Sequence, residues 1–168
     1  MFPADKSWDA RGYWAPYSPS DRAPWDLRRV VHLHRRAGFA ATWKELQRDV
    51  KDGPVQSITR LLKGETRREG APADFPDFAD TLARLALNQG ARGPTDPRNL
   101  KAWWIYRMLW GPDPLGERLT LMWHNHFATS NDKVNDLAAM YRQNEIFRKH
   151  GRGPFGKLLR RWSTTRRC

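Results

Sequence analysis

The chain has 168 residues, with 30 Lys and Arg against 18 Asp and Glu and a formal net charge of +12 at pH 7. This length allows one domain with a modest core, and the positive charge favours anionic partners such as nucleic acid or an acidic membrane surface. A single cysteine, Cys168, excludes an intramolecular disulfide and a cysteine-based zinc site, and no run approaches the roughly 20 apolar residues of a membrane span.

The first 24 residues are rich in proline and aromatic side chains, and they lack the apolar core of a signal peptide. This composition predicts an extended arm, residues 1–24, whose rings lie across the surface of a helical domain, residues 25–159. Because no targeting segment is recognisable, the cytoplasm is the default expectation for localisation.

The helical domain begins with a predicted helix over residues 24–36. Leu27, Val30, Val31 and His34 share one face of this helix, and Gly38 ends it. His34 is therefore expected to be a hydrogen-bonded core residue rather than a metal ligand. Two arginine pairs, Arg28-Arg29 and Arg35-Arg36, lie at the two ends of the helix and are interpreted as a solvated face rather than a phosphate track.

The next segment carries a capping box, since Thr42 is followed three residues later by Glu45. The helix that it begins is expected to stop at Gly53, and Pro54 is expected to begin another. The apolar stripe predicted for this second helix is Val55, Ile58, Leu61 and Leu62.

Two more helices are predicted over residues 75–88 and 97–110. Their expected core faces are Phe78, Leu82, Leu85 and Ala86 on the first, and Leu100, Trp103, Trp104 and Met108 on the second. The chain has nine tryptophans, and tryptophan is enriched at protein interfaces, so a partner-binding scaffold is an alternative function. Tryptophan serves equally in large helical cores, and the core interpretation is therefore preferred.

The residues from Trp123 to Ser130 are unusually dense in functional groups, with two histidines, an amide, two aromatic rings and two hydroxyls. Two imidazoles separated by one residue can bind zinc, copper or iron. On a helix, however, residues two apart point roughly 200° apart, so His124 and His126 would share an ion only if the helix ended between them. The preferred interpretation is that His126 is a core histidine on a buried stripe of the helix. This stripe consists of Leu115, Leu119, Met122, Trp123 and His126.

A final long helix is predicted over residues 132–150, and it is expected to be the longest of the chain. Asn144 lies on its apolar stripe. A buried amide without partners costs on the order of 1–3 kcal/mol, so Asn144 is expected to bond a neighbouring backbone group or His126 and to tie the last two helices together.

The last residues, from Lys157 to Cys168, carry five basic side chains and no acidic one. One extra base before the codon of Arg161 allows the translation Ala-Val-Val-His-Asp-Pro-Ala-Leu, which is apolar and then turn-like. We therefore expect residues 160–168 to be a non-native basic tail created by a frameshift near Arg160. Discounting this tail weakens the electrostatic case for nucleic acid.

Several short pieces, in order and spacing, resemble the bacterial family catalogued as domain of unknown function 1800, from about Leu27 to Leu159. They span residues 32–39, 103–108, 121–130, 133–134 and 142–155. The resemblance implies an all-α, irregular multi-helix domain of which this chain would be a truncated N-terminal portion, since members are typically longer. The resemblance does not identify an activity or a cofactor. Members resemble proteins that are often encoded beside a sulfatase-like family, which hints at a partner of that kind.

Three functions follow as hypotheses. The first is a truncated helical fragment with no assignable activity. The second is a basic nucleic-acid-binding module, whose affinity would fall with salt and survive deletion of residues 160–168. The third is a histidine-based, metal-dependent enzyme when full length, with His34, His124 and His126 as its candidate site residues. The candidate signature residues of the family are His34, Trp123, His124, Asn125, His126 and Asn144.

Overall fold

The computed structural model describes residues 15–39, 41–64, 70–88, 96–127 and 135–164. These residues form seven helices and one isolated bridge between Ser20 and Ala23, with no strand among them. The helices are α1 (Leu27–Ala37), α2 (Trp43–Lys63), α3 (Phe75–Asn88), α4 (Pro97–Trp110), α5 (Pro114–His126), α6 (Leu137–His150) and α7 (Phe155–Ser163). The all-α prediction is confirmed.

The helix boundaries follow local sequence signals. Asp26 caps α1 by accepting a hydrogen bond from the backbone of Arg29, and Gly38 follows its last residue. Val30 and His34 are buried as predicted, but the predicted stripe of α1 is wrong at Leu27, which is exposed at the start of the helix. The capping box of Thr42 and Glu45 begins α2 as predicted.

The predicted stop at Gly53 is a kink within α2, because Gly53 has φ of 83° and ψ of 174° inside the helix. Only glycine adopts this backbone region readily. At 21 residues α2 is the longest helix of the described part of the chain, so the expectation that the helix ending at His150 is the longest is wrong. That helix, α6, begins at Leu137 with Asp136 as its cap, and residues 132–134 lie outside the described ranges.

The core is formed where α3 packs on α4 and where α6 packs on α5 and α7. Its fully or nearly buried apolar side chains are Val30, Leu61, Phe75, Ala79, Ala83, Ala86, Trp103, Leu137, Phe147 and Leu158. Three of them are alanines of α3, which allow α4 to approach closely. The predicted stripe of α3 is wrong at Phe78 and Leu85, which are exposed.

The predicted stripe of the second half of α2 is wrong in the same way. Leu61 is buried, but Val55, Ile58 and Leu62 are exposed. The inward face is instead set by polar groups such as Ser57, which donates to the carbonyls of Asp49 and Gly53.

The described part of the N-terminal arm packs against the helices. Tyr17 lies beside Trp25, with ring centroids 6.0 Å apart, and the Trp25 indole donates to the Asp49 carbonyl at 2.9 Å. Residues 1–14 of the predicted arm, with Trp8, Tyr13 and Trp14, lie outside the described ranges.

The predicted tail boundary falls inside α7, which continues through Arg160 and Arg161 to Ser163. Trp162 stacks on Phe127 with ring centroids 4.6 Å apart. The domain boundaries and the frameshift stay predictions. In the part of the chain that the structure covers, none of the helices has the length and apolar character needed to span a bilayer.

Candidate functional site

The described part of the dense run, Trp123 to Phe127, covers the last turn of α5 and the residue after it, and its side chains point in different directions. Residues 128–130 of the run lie outside the described ranges. His124 is half-buried, with its ring nearly perpendicular to that of Trp104 and the centroids 5.0 Å apart. His126 is exposed, and its ring lies against Trp123 and Phe127. The prediction that the helix continues through His126 and separates the two imidazoles is confirmed.

The prediction that His126 belongs to a buried stripe is wrong. The buried side of α5 is formed by Pro114, Gly116, Glu117 and Thr120, while Met122 and His126 are exposed. The physical reason is that this side meets arginines of α4 and α6, so a carboxylate, rather than apolar side chains, faces inward.

His124 is the more unusual of the two histidines. Its Nδ1 atom is buried and makes no hydrogen bond to the described residues, and burial lowers the pKa of its imidazole below the ordinary 6.5. The described residues contain no group of three His, Cys, Asp or Glu side chains placed to hold a metal ion.

Trp123 and Phe127 belong to an aromatic cluster that joins α5 to α6 and α7. The Trp123 indole donates to the Gly151 carbonyl at 2.9 Å, and its ring stacks on Phe155 with centroids 5.7 Å apart. Phe127 stacks on Phe147 with centroids 5.8 Å apart. These contacts give Trp123 a structural role in holding the end of α6 and the start of α7.

Glu117 is the centre of a buried polar cluster between α4, α5 and α6. Its carboxylate accepts from the Trp104 indole at 3.2 Å, from Arg107 at 3.3 Å and from Arg148 at 2.6 Å. A buried carboxylate needs such partners, because an uncompensated charge in the interior is strongly destabilising.

Asn144 is buried as predicted, but its partner differs from the prediction. Its Oδ1 accepts from Arg148 Nη2 at 2.6 Å, so the bond stays within α6, and Arg148 makes the link to Glu117 on α5. The expected bond to His126 is wrong, because His126 contacts the aromatic cluster instead.

His34 is buried as predicted, and it belongs to a second polar cluster between α1 and α2. Its Nε2 lies 2.7 Å from Asp49 Oδ2. Asp49 also accepts from Arg48 at 3.2 Å and from Arg60, which reaches Asp52 as well. Burial alone would raise the pKa of Asp49, but the hydrogen bonds from His34 and Arg48 and the nearby guanidinium charges outweigh it and hold the pKa below 3.8.

A basic groove lies between α1 and α5, and it has no acidic side chain among its described lining residues. Its volume is about 750 Å³, and it is lined by Leu27, Arg28, Val31, His32, Arg35, Arg36 and Arg118. Among the described residues, no carboxylate lies within salt-bridge distance of these four arginines. The guanidinium of Arg118 lies 5.5 Å from the centroid of the Phe39 ring.

A second hollow, the apolar groove, continues from the basic groove along α5. Its volume is about 390 Å³, and it is lined by Arg36, Leu115, Arg118, Leu119, Leu121, Met122 and Asn125. Arg36 and Arg118 line both grooves, so the two are continuous at that point. Of the candidate site residues, Asn125 lines the apolar groove.

Sequence reasoning missed Asp49, Glu117, Arg118 and Arg148. Glu117 lies in the first turn of its helix, where an acidic residue is normally explained by the helix dipole. Arg118 is the only basic residue on the apolar side of α5, between Leu115 and Met122, which is a signal that could have been noticed. The clustering of Arg118 with α1 depends on a tertiary contact about 80 residues apart in the chain, and no local pattern encodes that.

The fold and these clusters define an all-α protein held together by two buried carboxylate networks and an aromatic cluster. A family profile described as protein of unknown function (DUF1800) matches residues 32–166. The chain therefore belongs to the DUF1800 family. Comparisons with curated proteins and with solved structures found no match.

Proposed function

We propose that this protein is a binding module for an acidic partner, and that the basic groove between α1 and α5 is the contact surface. The observation that carries the proposal is the gathering of four arginines and His32 around one groove without a described acidic side chain. Arginine is suited to this task because its guanidinium can bind a carboxylate or a phosphate through two parallel hydrogen bonds.

The arrangement of charge on α1 supports the proposal. Arg28, His32 and Arg35 follow one another at helical spacings of four and three, so they share one side of the helix. Arg28 and Arg35 therefore present two guanidinium charges, about two helical turns apart, on the side of α1 that lines the groove.

The core arginines provide a contrast. Arg60, Arg107 and Arg148 all donate to buried carboxylates, so their charges are neutralised within the fold. The arginines of the basic groove have no such described partners and are available to an external anion.

The alternative of a histidine-based metal enzyme receives less support from the contacts. His34 bonds Asp49, His124 lies against Trp104, and His126 lies against Trp123 and Phe127. Three separate environments do not favour a shared ion.

The proposal is tested by fluorescence anisotropy with a labelled polyglutamate peptide. We expect binding that weakens as salt is added, since exposed charges are screened. Arg35→Ala and Arg118→Ala should each reduce affinity by about fivefold, the effect of losing one exposed charge contact. Arg84→Ala, which removes an exposed arginine of α3, is the matched control and should leave affinity unchanged.

The basic residues of α7 need their own control. Deleting the chain from Arg160 would also remove Trp162 from its stack on Phe127, so Arg160→Gln and Arg161→Gln are the cleaner changes. Binding that survives these two substitutions and fails with Arg118→Ala supports the proposal. Binding that Arg118→Ala and Arg35→Ala leave intact would refute it.

A further inference from the structure

We infer that the acidic partner presents an amphipathic helix, which lies along α5 with its acidic side chains in the basic groove and its apolar side in the apolar groove. This inference rests on the proposed function and adds the chemical class of the partner. It comes from the continuity of the two grooves at Arg36 and Arg118.

The apolar groove offers a docking surface of helical dimensions. Leu115, Leu119 and Met122 follow at spacings of four and three, so they form a stripe along one side of α5. From position 115 to position 125 this side extends about 15 Å, at 1.5 Å per residue. Amphipathic helices bind such surfaces by placing apolar side chains at matching intervals.

The charges select which amphipathic helix fits. Arg36 and Arg118 border both grooves, and Arg28 and Arg35 extend the positive surface along α1. A helix with an apolar side and flanking glutamates would bury its leucines beside Met122 and pair its carboxylates with these arginines. A basic helix would meet uncompensated repulsion at the same place.

Nucleic acid fits these grooves less well. Single-stranded nucleic acid binds through aromatic faces on which bases stack. The described lining residues of the two grooves include no Phe, Tyr or Trp, and their one ring is the His32 imidazole. The nearby ring of Phe39 lies against the Arg118 guanidinium, so the grooves offer charge without a row of rings on which successive bases could stack.

The inference is tested by the affinities of three labelled probes for the intact chain. The first is a peptide with leucines on one helical side and glutamates on the flanks. The second is a scrambled peptide of the same composition, and the third is a single-stranded oligonucleotide. We expect the amphipathic peptide to bind about tenfold more tightly than the scrambled one, because only the former buries apolar surface.

Variants of the apolar groove make the test specific. Met122→Ser should weaken the amphipathic peptide about fivefold and leave the scrambled peptide unchanged. Ile105→Ser, which changes an exposed apolar residue of α4, is the matched control and should alter neither. Circular dichroism spectra of both variants check that the helices are retained.

The outcomes separate this inference from the proposed function. Two results would overturn the inference: equal affinity for the two peptides, or an oligonucleotide that binds more tightly than either peptide. If Arg118→Ala weakens the binding in such a result, the basic groove remains a binding site. Binding of all probes that is insensitive to Arg118→Ala and Arg35→Ala would overturn the proposed function itself.

Discussion

Asp49 is a buried carboxylate that joins α1 to both halves of α2. It contacts His34, Arg48 and Arg60, and its backbone carbonyl accepts from Trp25 and Ser57. A buried charge is tolerated when its partners are complete, and the loss of one partner leaves the others uncompensated.

Asp49→Asn should therefore destabilise the fold by about 3 kcal/mol, because it removes the carboxylate that His34 contacts, which is also the more deeply buried of the two carboxylates that Arg60 bonds. Asp52→Asn is the matched control, since Asp52 is partly exposed and bonds Arg60 alone among the described contacts. It should cost about 1 kcal/mol or less. Urea denaturation of both variants measures the difference, and equal midpoints would contradict the structural role of Asp49.

The lowered pKa of Asp49 also predicts how the stability of the fold changes at acidic pH. Because the pKa of Asp49 is lower in the folded state than the ordinary 3.8, the unfolded chain takes up its proton first as the pH falls. The stability that Asp49 contributes is present above pH 3.8 and is lost as the pH falls through the lower, folded-state pKa. The stability difference between the wild type and Asp49→Asn should therefore shrink below pH 3.8.

His124 makes a separate prediction near neutral pH. Burial lowers its pKa below 6.5, so its contribution to stability is complete above pH 6.5 and is lost as the pH falls toward the folded-state pKa. His124→Phe keeps a ring against Trp104 and removes the titration. It should reduce the loss of thermal stability between pH 7 and more acidic conditions.

The control for His124→Phe is Asn125→Ala, which changes an exposed, non-titrating neighbour on the same turn. This variant should keep the wild-type pH dependence. An identical pH dependence in His124→Phe and wild type would mean that the half-buried imidazole does not titrate differently on folding.

At the level of helices, local sequence signals predicted boundaries better than faces. Caps and turn residues such as Gly38, Thr42 and Gly53 act within a few residues, so the end of α1 and the start and kink of α2 lie close to where they were expected. Which side of a helix is buried depends on its neighbours. On α3 the close approach of α4 selects Ala79 and Ala83, so a face chosen by the largest side chains is wrong.

The candidate site shows the same limit. His34 was correctly predicted as a buried, bonded histidine from helical spacing alone. The partner of Asn144 and the exposure of His126 depend on where α5, α6 and α7 meet, which no single helix encodes. The basic groove was missed because Arg118 and the α1 arginines are distant in the chain.

The kink in α2 predicts a loss of stability when Gly53 is replaced. Gly53→Ala should destabilise the fold by about 1–3 kcal/mol, because φ of 83° with ψ of 174° strains any side-chain-bearing residue. Its Cβ would have space, since the nearest side-chain atom, Gln56 Oε1, would be 3.9 Å away. The cost would therefore come from the backbone alone.

Gly156→Ala is the matched control, because Gly156 lies within α7 and its Cβ would meet no atom within 4 Å. It should leave stability unchanged or raise it by about 0.5–1 kcal/mol, the helix preference for alanine. Thermal denaturation compares the two variants, and equal effects would show that the kink at Gly53 is not fixed by its backbone geometry.

Across the whole molecule, several large apolar side chains are exposed. Val55 is 71% exposed, Leu62 60% and Trp43 59%. Large exposed apolar surface commonly marks an interaction site. The expectation that this chain is a shortened part of a longer family domain stays a prediction.

The frameshift is the part of that prediction that can be checked directly. Resequencing the gene decides it. The expected result is one additional base before the codon of Arg161, so that the gene encodes Ala-Val-Val-His-Asp-Pro-Ala-Leu from this point. An unchanged frame, in a strain whose related proteins share the basic tail, would refute the frameshift and make residues 160–168 native.

The grooves between α1 and α5 carry the central claim, and an amide NMR titration with the acidic amphipathic peptide tests it most directly. The largest shift changes should cluster at residues 27–36 and 115–125, and they should diminish in Arg118→Ala. Shift changes centred on α3 and α4, or none at all, would contradict the account.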